Sequence, residues 1–167
     1  MSIRTPEHWY IGMDTGWEVG YSKTHFNSLM SELIGAGVVG ADSEEAAYFG
    51  GNKRDFDVIG DGRKCDVKNA WWWTGTEIIG FPGPGRRGVF DPANVDDIVL
   101  VLCPDQPDVT INYQADGTVS MTAVATPERV WRVPVGDINR FMKQDGSSVA
   151  RWLLQAVDLE PYIVRAR

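Results

Sequence analysis

The chain has 167 residues, of which 43% are hydrophobic, and it carries seven tryptophans and a formal net charge of −7 at pH 7. This length and composition predict one folded domain over residues 1–167, with a core that needs no disulfide. The acidic charge argues against a protein that binds nucleic acid with its whole surface, because such a surface is usually basic.

We expect a cytoplasmic protein, because no segment has the apolar run of a signal peptide or the length and hydrophobicity of a membrane span. Cys65 and Cys103 are expected to be buried thiols inside strands. A disulfide between neighbouring strands is the less favoured alternative.

Residues 1–21 are rich in aromatic residues and glycine without a clear period, and we interpret them as an N-terminal extension. The first predicted element is a helix over residues 22–36. By the arithmetic of 100° per residue, Glu32 on this helix points to solvent. The helix's apolar residues follow the i, i+3, i+4, i+7, i+8 spacing of a core-facing stripe, and they are Phe26, Leu29, Met30, Leu33 and Ile34.

Residues 56–68 predict two short strands joined by a turn at Asp61 and Gly62. With these two residues in the turn, Gly60 faces Arg63 and Asp57 faces Asp66. Directly opposed Cβ atoms lie roughly 4.5–5.5 Å apart. Because side chains alternate along a strand, one face is apolar (Phe56, Val58, Cys65, Val67) and the other is charged (Asp55, Asp57, Asp66, Lys68).

The charged face of this hairpin predicts a site for a divalent cation. Two carboxylates held so close repel each other unless a cation neutralises them, and oxygen ligands suit Mg²⁺ or Mn²⁺. Lys68 lies two residues after Asp66, where it can act on a water molecule. A solvated acidic hairpin that binds nothing is the alternative that the pattern leaves open.

The second half of the chain predicts further strands and one more long helix. A Gly/Pro-rich loop is expected over residues 74–94. The predicted strands are 97–103, 110–113, 119–124 and 130–135, followed by a helical turn at 137–142 and a helix over 148–157 with Val149, Trp152, Leu153 and Ala156 inward. This order predicts an α/β or α+β domain, a mixed sheet with helices packed on it.

Asp57, an eight-residue gap and Asp66-Val67-Lys68 on a strand resemble the D…(D/E)xK motif of the PD-(D/E)xK nuclease superfamily. This superfamily includes restriction endonucleases and archaeal-type Holliday junction resolvases. The strands at 96–102 and 130–135 are similar to the later strands of its members, so the resemblance covers roughly residues 22–140.

The resemblance implies a restriction-endonuclease-like central mixed sheet of about four to five strands flanked by helices. It also implies that Asp57, Asp66 and the Val67 carbonyl hold Mg²⁺ or Mn²⁺, while Lys68 acts on the attacking water. Many members carry a further glutamate on the first helix. Since Glu32 is predicted to face solvent, Glu18 or Asn27 is the expected substitute.

An acidic protein needs local basic patches to hold DNA. The candidates near the hairpin in sequence are Lys53-Arg54, Arg63-Lys64 and Arg86-Arg87. Trp72 is predicted to share the face of Asp66 and Lys68, where it could stack on an unpaired base. Trp71 and Trp73 are predicted to face the core side.

Together these features predict a divalent-metal-dependent DNA endonuclease, restriction-like or junction-resolving, that acts as a homodimer. The alternative is a nuclease-fold module that has lost catalysis and serves in DNA binding or protein assembly. The acidic charge and the unassigned helix glutamate favour the alternative, whereas the complete set of Asp57, Asp66 and Lys68 opposes it.

Overall fold

The computed structural model describes residues 8–12, 18–39, 56–84, 88–103, 108–146 and 151–166. Strands β1 (His8–Gly12) and β2 (Glu18–Ser22) form an antiparallel hairpin that leads into helix α1 (Lys23–Val39). The helix is as predicted, although it ends at Val39 and not at Ala36. Within the segment interpreted as an N-terminal extension, the described residues pair as strands, which the sequence pattern did not indicate.

Eight strands form the central sheet, in the order β10-β11-β5-β4-β6-β9-β12, with β3 also paired to β4. Strands β4 and β6 are parallel, and the other pairs in this sheet are antiparallel. In chain order the elements are β3 (Val58–Gly60), β4 (Arg63–Thr74), β5 (Ile78–Pro82), β6 (Asp97–Leu102), β7 (Asp108–Tyr113), β8 (Val119–Val124), β9 (Arg129–Pro134), α2 (Val135–Phe141), β10 (Lys143–Gln144), β11 (Arg151–Gln155), a 3₁₀ helix (Ala156–Tyr162) and β12 (Ile163–Ala166). The predicted class, a mixed sheet with helices packed on it, is confirmed.

The sheet is larger than the four to five strands predicted, because β5, β10, β11 and β12 also belong to it, and two of these lie in segments assigned otherwise. Strand β5 lies inside the predicted loop 74–94. Strand β11 lies where a helix was predicted over 148–157. In β11 the buried Trp152 and Leu154 alternate with the half-buried Leu153 and the exposed Gln155, which is the period of a strand and not of a helix. Val149, also expected inward, lies outside the described residues.

Other predicted elements agree with the structure. Strands β7 and β8 form the expected antiparallel hairpin, which is separate from the central sheet. Helix α2 occupies the predicted helical turn, beginning two residues earlier. Within the ranges that the structure describes, no helix is long and apolar enough to cross a membrane.

The two faces of the sheet bury separate apolar clusters. Strand β6 is buried along its whole length, and its side chains alternate between the two faces. Such a continuous apolar run is typical of a strand covered on both sides. The cluster on the α1 side contains Ala36, Val39, Val58, Cys65, Val67, Val99, Val101 and Val130. The opposite cluster includes Ala70, Ile98, Leu100, Leu102, Trp131, Ile138 of α2 and Leu159 of the 3₁₀ helix.

Helix α1 packs on the sheet through small residues. A Cβ added to Gly35 would lie 2.8 Å from Val67 Cγ1, so the helix crosses β4 at a distance that only glycine permits without a shift. Ser31, Ala36 and Val39 are buried, whereas Leu33 is 43% exposed. The predicted stripe is therefore wrong at Leu33. The side chains of Phe26 and Leu29 lie outside the described part.

Candidate metal and catalytic site

The candidate site lies where β4 loses a partner on one edge. Strand β3 pairs with residues 63–65 of β4, and β5 pairs with residues 71–74. Between them, residues 66–70 pair with β6 alone among the described strands. The predicted hairpin is confirmed, with Gly60 opposite Arg63, but its ladder ends at the pair Val58 and Cys65.

Asp57 lies just beyond that ladder and binds the open edge of β4. Its backbone N–H donates to the Cys65 carbonyl at 2.9 Å, and its Oδ2 accepts from the Val67 N–H at 2.7 Å. The N–H and C=O of one strand residue point to the same edge, so the Val67 carbonyl also points to this side. Three oxygen-bearing groups of the predicted metal site therefore share one edge: Asp57, Asp66 and the Val67 carbonyl.

The carboxyl groups of Asp57 and Asp66 are in contact. Burial, the hydrogen bond to Asp66 and the charge of Asp66 raise the pKa of Asp57 to about 8, against a smaller lowering by the Val67 N–H. A raised pKa of this kind is expected where two carboxyl groups lie together with little positive charge beside them.

Lys68 supplies one cation to this cluster. Its Nζ lies 3.0 Å from Asp66 Oδ1. The Asp66 side chain is 13% exposed and that of Lys68 is 26% exposed, so the ion pair is partly shielded from water while the lysine can still reach solvent. The predicted trio of Asp57, Asp66 and Lys68 is thus brought together.

Glu32 is a residue that the sequence interpretation assigned wrongly. It does not point to solvent: it is half-buried, and burial raises its pKa, against the lowering by Lys68, while Asp66 raises it further. Its own charge contributes to raising the pKa of Asp57. Gly35, Ala36 and Val39 follow Glu32 at i+3, i+4 and i+7, so Glu32 shares the face of α1 that packs on the sheet.

The signal that could have placed Glu32 was the run of small residues after it. Gly35 and Ala36 weigh little in an apolar count, but they mark where a helix approaches a sheet closely. The side chains of Glu18 and Asn27, expected as substitutes, are outside the described part, so their positions stay predictions.

The donor set fits a hard divalent cation. Two acidic side chains and a backbone carbonyl supply oxygen ligands, and the raised pKa of Asp57 shows the deficit of positive charge that a cation would fill. Among described side chains, however, no group of three or more His, Cys, Asp or Glu converges closely enough to hold an ion. Glu32 therefore lies near Asp57 and Asp66 but does not form a group of three ligands with them.

A second carboxylate cluster lies on the α1 side of the sheet. Asp97 accepts from Arg63 Nε at 2.8 Å, Arg63 Nη2 at 2.6 Å and Arg132 Nε at 2.9 Å. Arg132 also donates to Asp61 at 3.2 Å and to the Gly60 carbonyl at 3.0 Å. Arg63, predicted to contact DNA, is thus held by Asp97, and it lines a groove of about 470 Å³ with Arg132 and Tyr162.

The other predicted DNA-contacting residues have varied positions. Lys64 Nζ donates to the Ala93 carbonyl at 3.1 Å. Trp72 packs against the cluster that contains Ala70, the face of Asp66 and Lys68, as predicted. Trp73 is 38% exposed and does not pack in a core, contrary to the expectation. Asp55, Lys53, Arg54, Arg86 and Arg87 lie outside the described residues.

Cys65 is buried and Cys103 is half-buried just after β6, and neither forms a disulfide among the described residues. Comparison of the chain with protein-family models, with curated proteins and with solved structures found no match.

Proposed function

We propose that this protein is a divalent-metal-dependent DNA endonuclease of the PD-(D/E)xK kind. The observation that carries the proposal is the contact between the carboxyl groups of Asp57 and Asp66, with Lys68 3.0 Å from Asp66, at the open edge of β4. Glu32 also supports it. Many members of this superfamily carry a glutamate on the first helix, and Glu32 of α1 is close enough to Asp66 and Lys68 for their charges to affect its pKa.

In this proposal Asp57, Asp66 and the Val67 carbonyl hold Mg²⁺ or Mn²⁺, and Glu32 adds negative charge that favours cation binding. A bound cation of this kind supplies positive charge next to the phosphate and lowers the pKa of a water molecule. Asp57 must lose its proton to become a ligand, so the cation and this proton compete for the same oxygen atoms.

Lys68 acts on the substrate and not on the cation. Its Nζ donates hydrogen bonds, so it can orient the attacking water and stabilise the negative charge that develops on the phosphate oxygens. Since Nζ is bound to Asp66, the carboxylate holds the lysine in place until substrate arrives. The more buried Asp66 therefore positions the more exposed Lys68.

The second candidate is a nuclease-fold module without catalysis that binds DNA or assembles with protein. The absence of a third converging carboxylate in the described part favours this candidate. It predicts that DNA binding persists without cleavage under every metal condition.

The test is cleavage of plasmid, linear and four-way-junction DNA with Mg²⁺, Mn²⁺ or EDTA. We expect cleavage with either cation and none with EDTA. Lys68→Ala should reduce the rate at least about 100-fold, the range that a positioned proton-transfer group contributes. Lys68→Arg should not restore it, because the guanidinium has a different shape and charge distribution.

Lys143→Ala is the matched control, because Lys143 is an exposed lysine on β10. It should cleave as the wild type does. Cleavage in EDTA, or by Lys68→Ala at the wild-type rate, would contradict the proposed mechanism.

A further inference from the structure

Arg129 lies against an indole on the same face of the sheet as Lys68. Its guanidinium carbon is 5.5 Å from the centroid of the Trp72 ring, within cation–π range. The indole N–H of Trp72 donates to Glu128 Oε2 at 3.3 Å, and the Glu128 backbone N–H donates to the Leu102 carbonyl at 2.7 Å. The ring and the guanidinium are therefore both anchored to the sheet.

The alternation of side chains places this pair on the face of the candidate site. On β9, Val130 belongs to the cluster on the α1 side and Trp131 to the opposite cluster, so Arg129 faces the opposite side. On β4, Ala70 belongs to that same cluster, and Lys68 and Trp72 share its direction.

Arg129 also differs from four other described arginines in charge pairing. Arg63, Arg132, Arg140 and Arg151 each form an ion pair with an aspartate. Within the described residues, no carboxylate lies within ion-pair distance of the Arg129 guanidinium. An arginine that is held flat by a ring and not neutralised is suited to bind a phosphate.

The spacing along β4 separates this pair from Lys68. Lys68 and Trp72 are four residues apart, which corresponds to roughly 13 Å along a strand. A phosphate bound by the pair is therefore not the one next to Lys68.

We propose that the Trp72–Arg129 pair binds a backbone phosphate of the DNA other than the scissile one. This inference rests on the proposed function and adds a substrate contact to it. Trp72 then acts as the support of a phosphate-binding arginine, and base stacking by its ring is not required.

The test measures DNA binding by fluorescence anisotropy in the Lys68→Ala background, which stops cleavage, with Mn²⁺ present. The probe is an oligonucleotide duplex whose cleavage position has been mapped with the wild type. Arg129→Ala should weaken binding about tenfold and reduce the slope of log affinity against log salt by about one. Arg129→Lys should restore the salt slope but only part of the affinity.

Arg151→Ala is the matched control. Arg151 also lies over an indole, 4.7 Å from the Trp73 centroid, but it is paired with Asp145 and faces the opposite side from Trp152. Its removal should leave binding unchanged. Melting temperatures of both variants check that they are folded.

Neutral methylphosphonate linkages, introduced one at a time, locate the contact. One linkage away from the cut should weaken binding by the Lys68→Ala protein and remove the difference between Arg129 and Arg129→Ala in that background. If that difference persists at every position, or if Arg151→Ala weakens binding equally, the inference is overturned while the endonuclease proposal stands. A wild type that binds no DNA overturns both.

Discussion

Asp97 and Asp66 lie beside each other in the sheet, since Asp97 of β6 pairs with Cys65 and Asp66 is the next residue of β4. Both are buried, with 3% and 9% exposure. Asp97 receives three hydrogen bonds from two guanidinium groups. Burial raises the pKa of Asp97, but the hydrogen bonds from Arg63 and Arg132 outweigh it and leave that pKa lowered.

The cluster on the other face has the reverse balance. Asp57 and Asp66, with Glu32 nearby, have one lysine among them, and the pKa of Asp57 rises to about 8. An acid such as Asp97, whose charge is neutralised by arginines of the same protein, contributes to the stability of the fold. A cluster of acids that lacks positive charge either stays protonated or binds a cation. Strongly shifted pKa values of this kind are typical of functional sites.

The largest expected difference between the clusters is in cleavage. Asp66→Asn should reduce the rate at least about 100-fold, because it removes a ligand of the cation, while the melting temperature of the metal-free protein is preserved or raised. Asp97→Asn should leave cleavage by the folded fraction within a few-fold of wild type. Rates measured below both melting temperatures decide this, and equal losses would abolish the distinction.

The reverse holds for stability. Asp97→Asn weakens the contacts of two guanidinium groups, of which Arg132 keeps Asp61 and the Gly60 carbonyl. Loss of one member of a buried pair costs about 3 kcal/mol of unfolding free energy. Since the Arg63 side chain is 48% exposed and can turn to water, the upper end of the usual range is not expected. Urea unfolding gives the value, and Asp145→Asn, which removes the partner of Arg151, is the control with a smaller expected loss.

Metal should stabilise one cluster only. Mn²⁺ at a concentration 100-fold above its dissociation constant should raise the unfolding free energy by about 2.7 kcal/mol through mass action. Asp66→Asn should lose most of this gain, Glu32→Gln part of it, and Asp97→Asn none. Thermal melts with and without millimolar Mn²⁺ measure it, and an indifferent wild type would count against the cation site.

The smallest expected effect is an opposite pH dependence of the two clusters. The pKa of Asp57 is raised in the folded state from 3.8 to about 8, so its stabilising contribution is complete below the lower value and is lost as pH rises through the higher one. Without metal we expect the stability of the wild type to fall between pH 5 and pH 8, and that of Asp57→Asn not to do so.

Asp97 titrates the other way. Because its pKa is lowered in the folded state, its contribution is present at neutral pH and is lost as pH falls through the acid range. Urea titrations of the wild type and Asp97→Asn from pH 3 to pH 7 should converge at the acid end. Parallel curves over the whole range would show that Asp97 is not held by its arginines.

The hairpin could be predicted from sequence because its signals are local. The Asp61-Gly62 turn fixes which residues oppose each other, and both residues adopt positive φ, as such a turn requires. The alternation of Val58, Cys65 and Val67 follows from that register. The trio of Asp57, Asp66 and Lys68 is therefore brought together by residues within one short segment.

Features set by distant parts of the chain could not be predicted in this way. Nothing near Arg63 in sequence indicates Asp97, which is 34 positions away. The position of Glu32 depends on small residues that let α1 approach β4. The apolar stripe was predicted on the wrong side of the helix because it counted the hydrophobic Leu33, which is exposed. Strand β11 was assigned to a helix because Trp152 and Ala156 have helical spacing, whereas its pairing with β5 decides its form.

The geometry of the site depends on Gly35, which has no Cβ where α1 crosses β4. A Cβ on Gly35 would lie 2.8 and 2.9 Å from the two γ carbons of Val67, closer than atoms of a core tolerate. Gly35 is one turn from Glu32, and Val67 carries the N–H that holds Asp57. The clearance at this crossing therefore sets the distance between Glu32 on the helix and the carboxyl groups of Asp57 and Asp66, and substitutions at Gly35 or Val67 should change that distance.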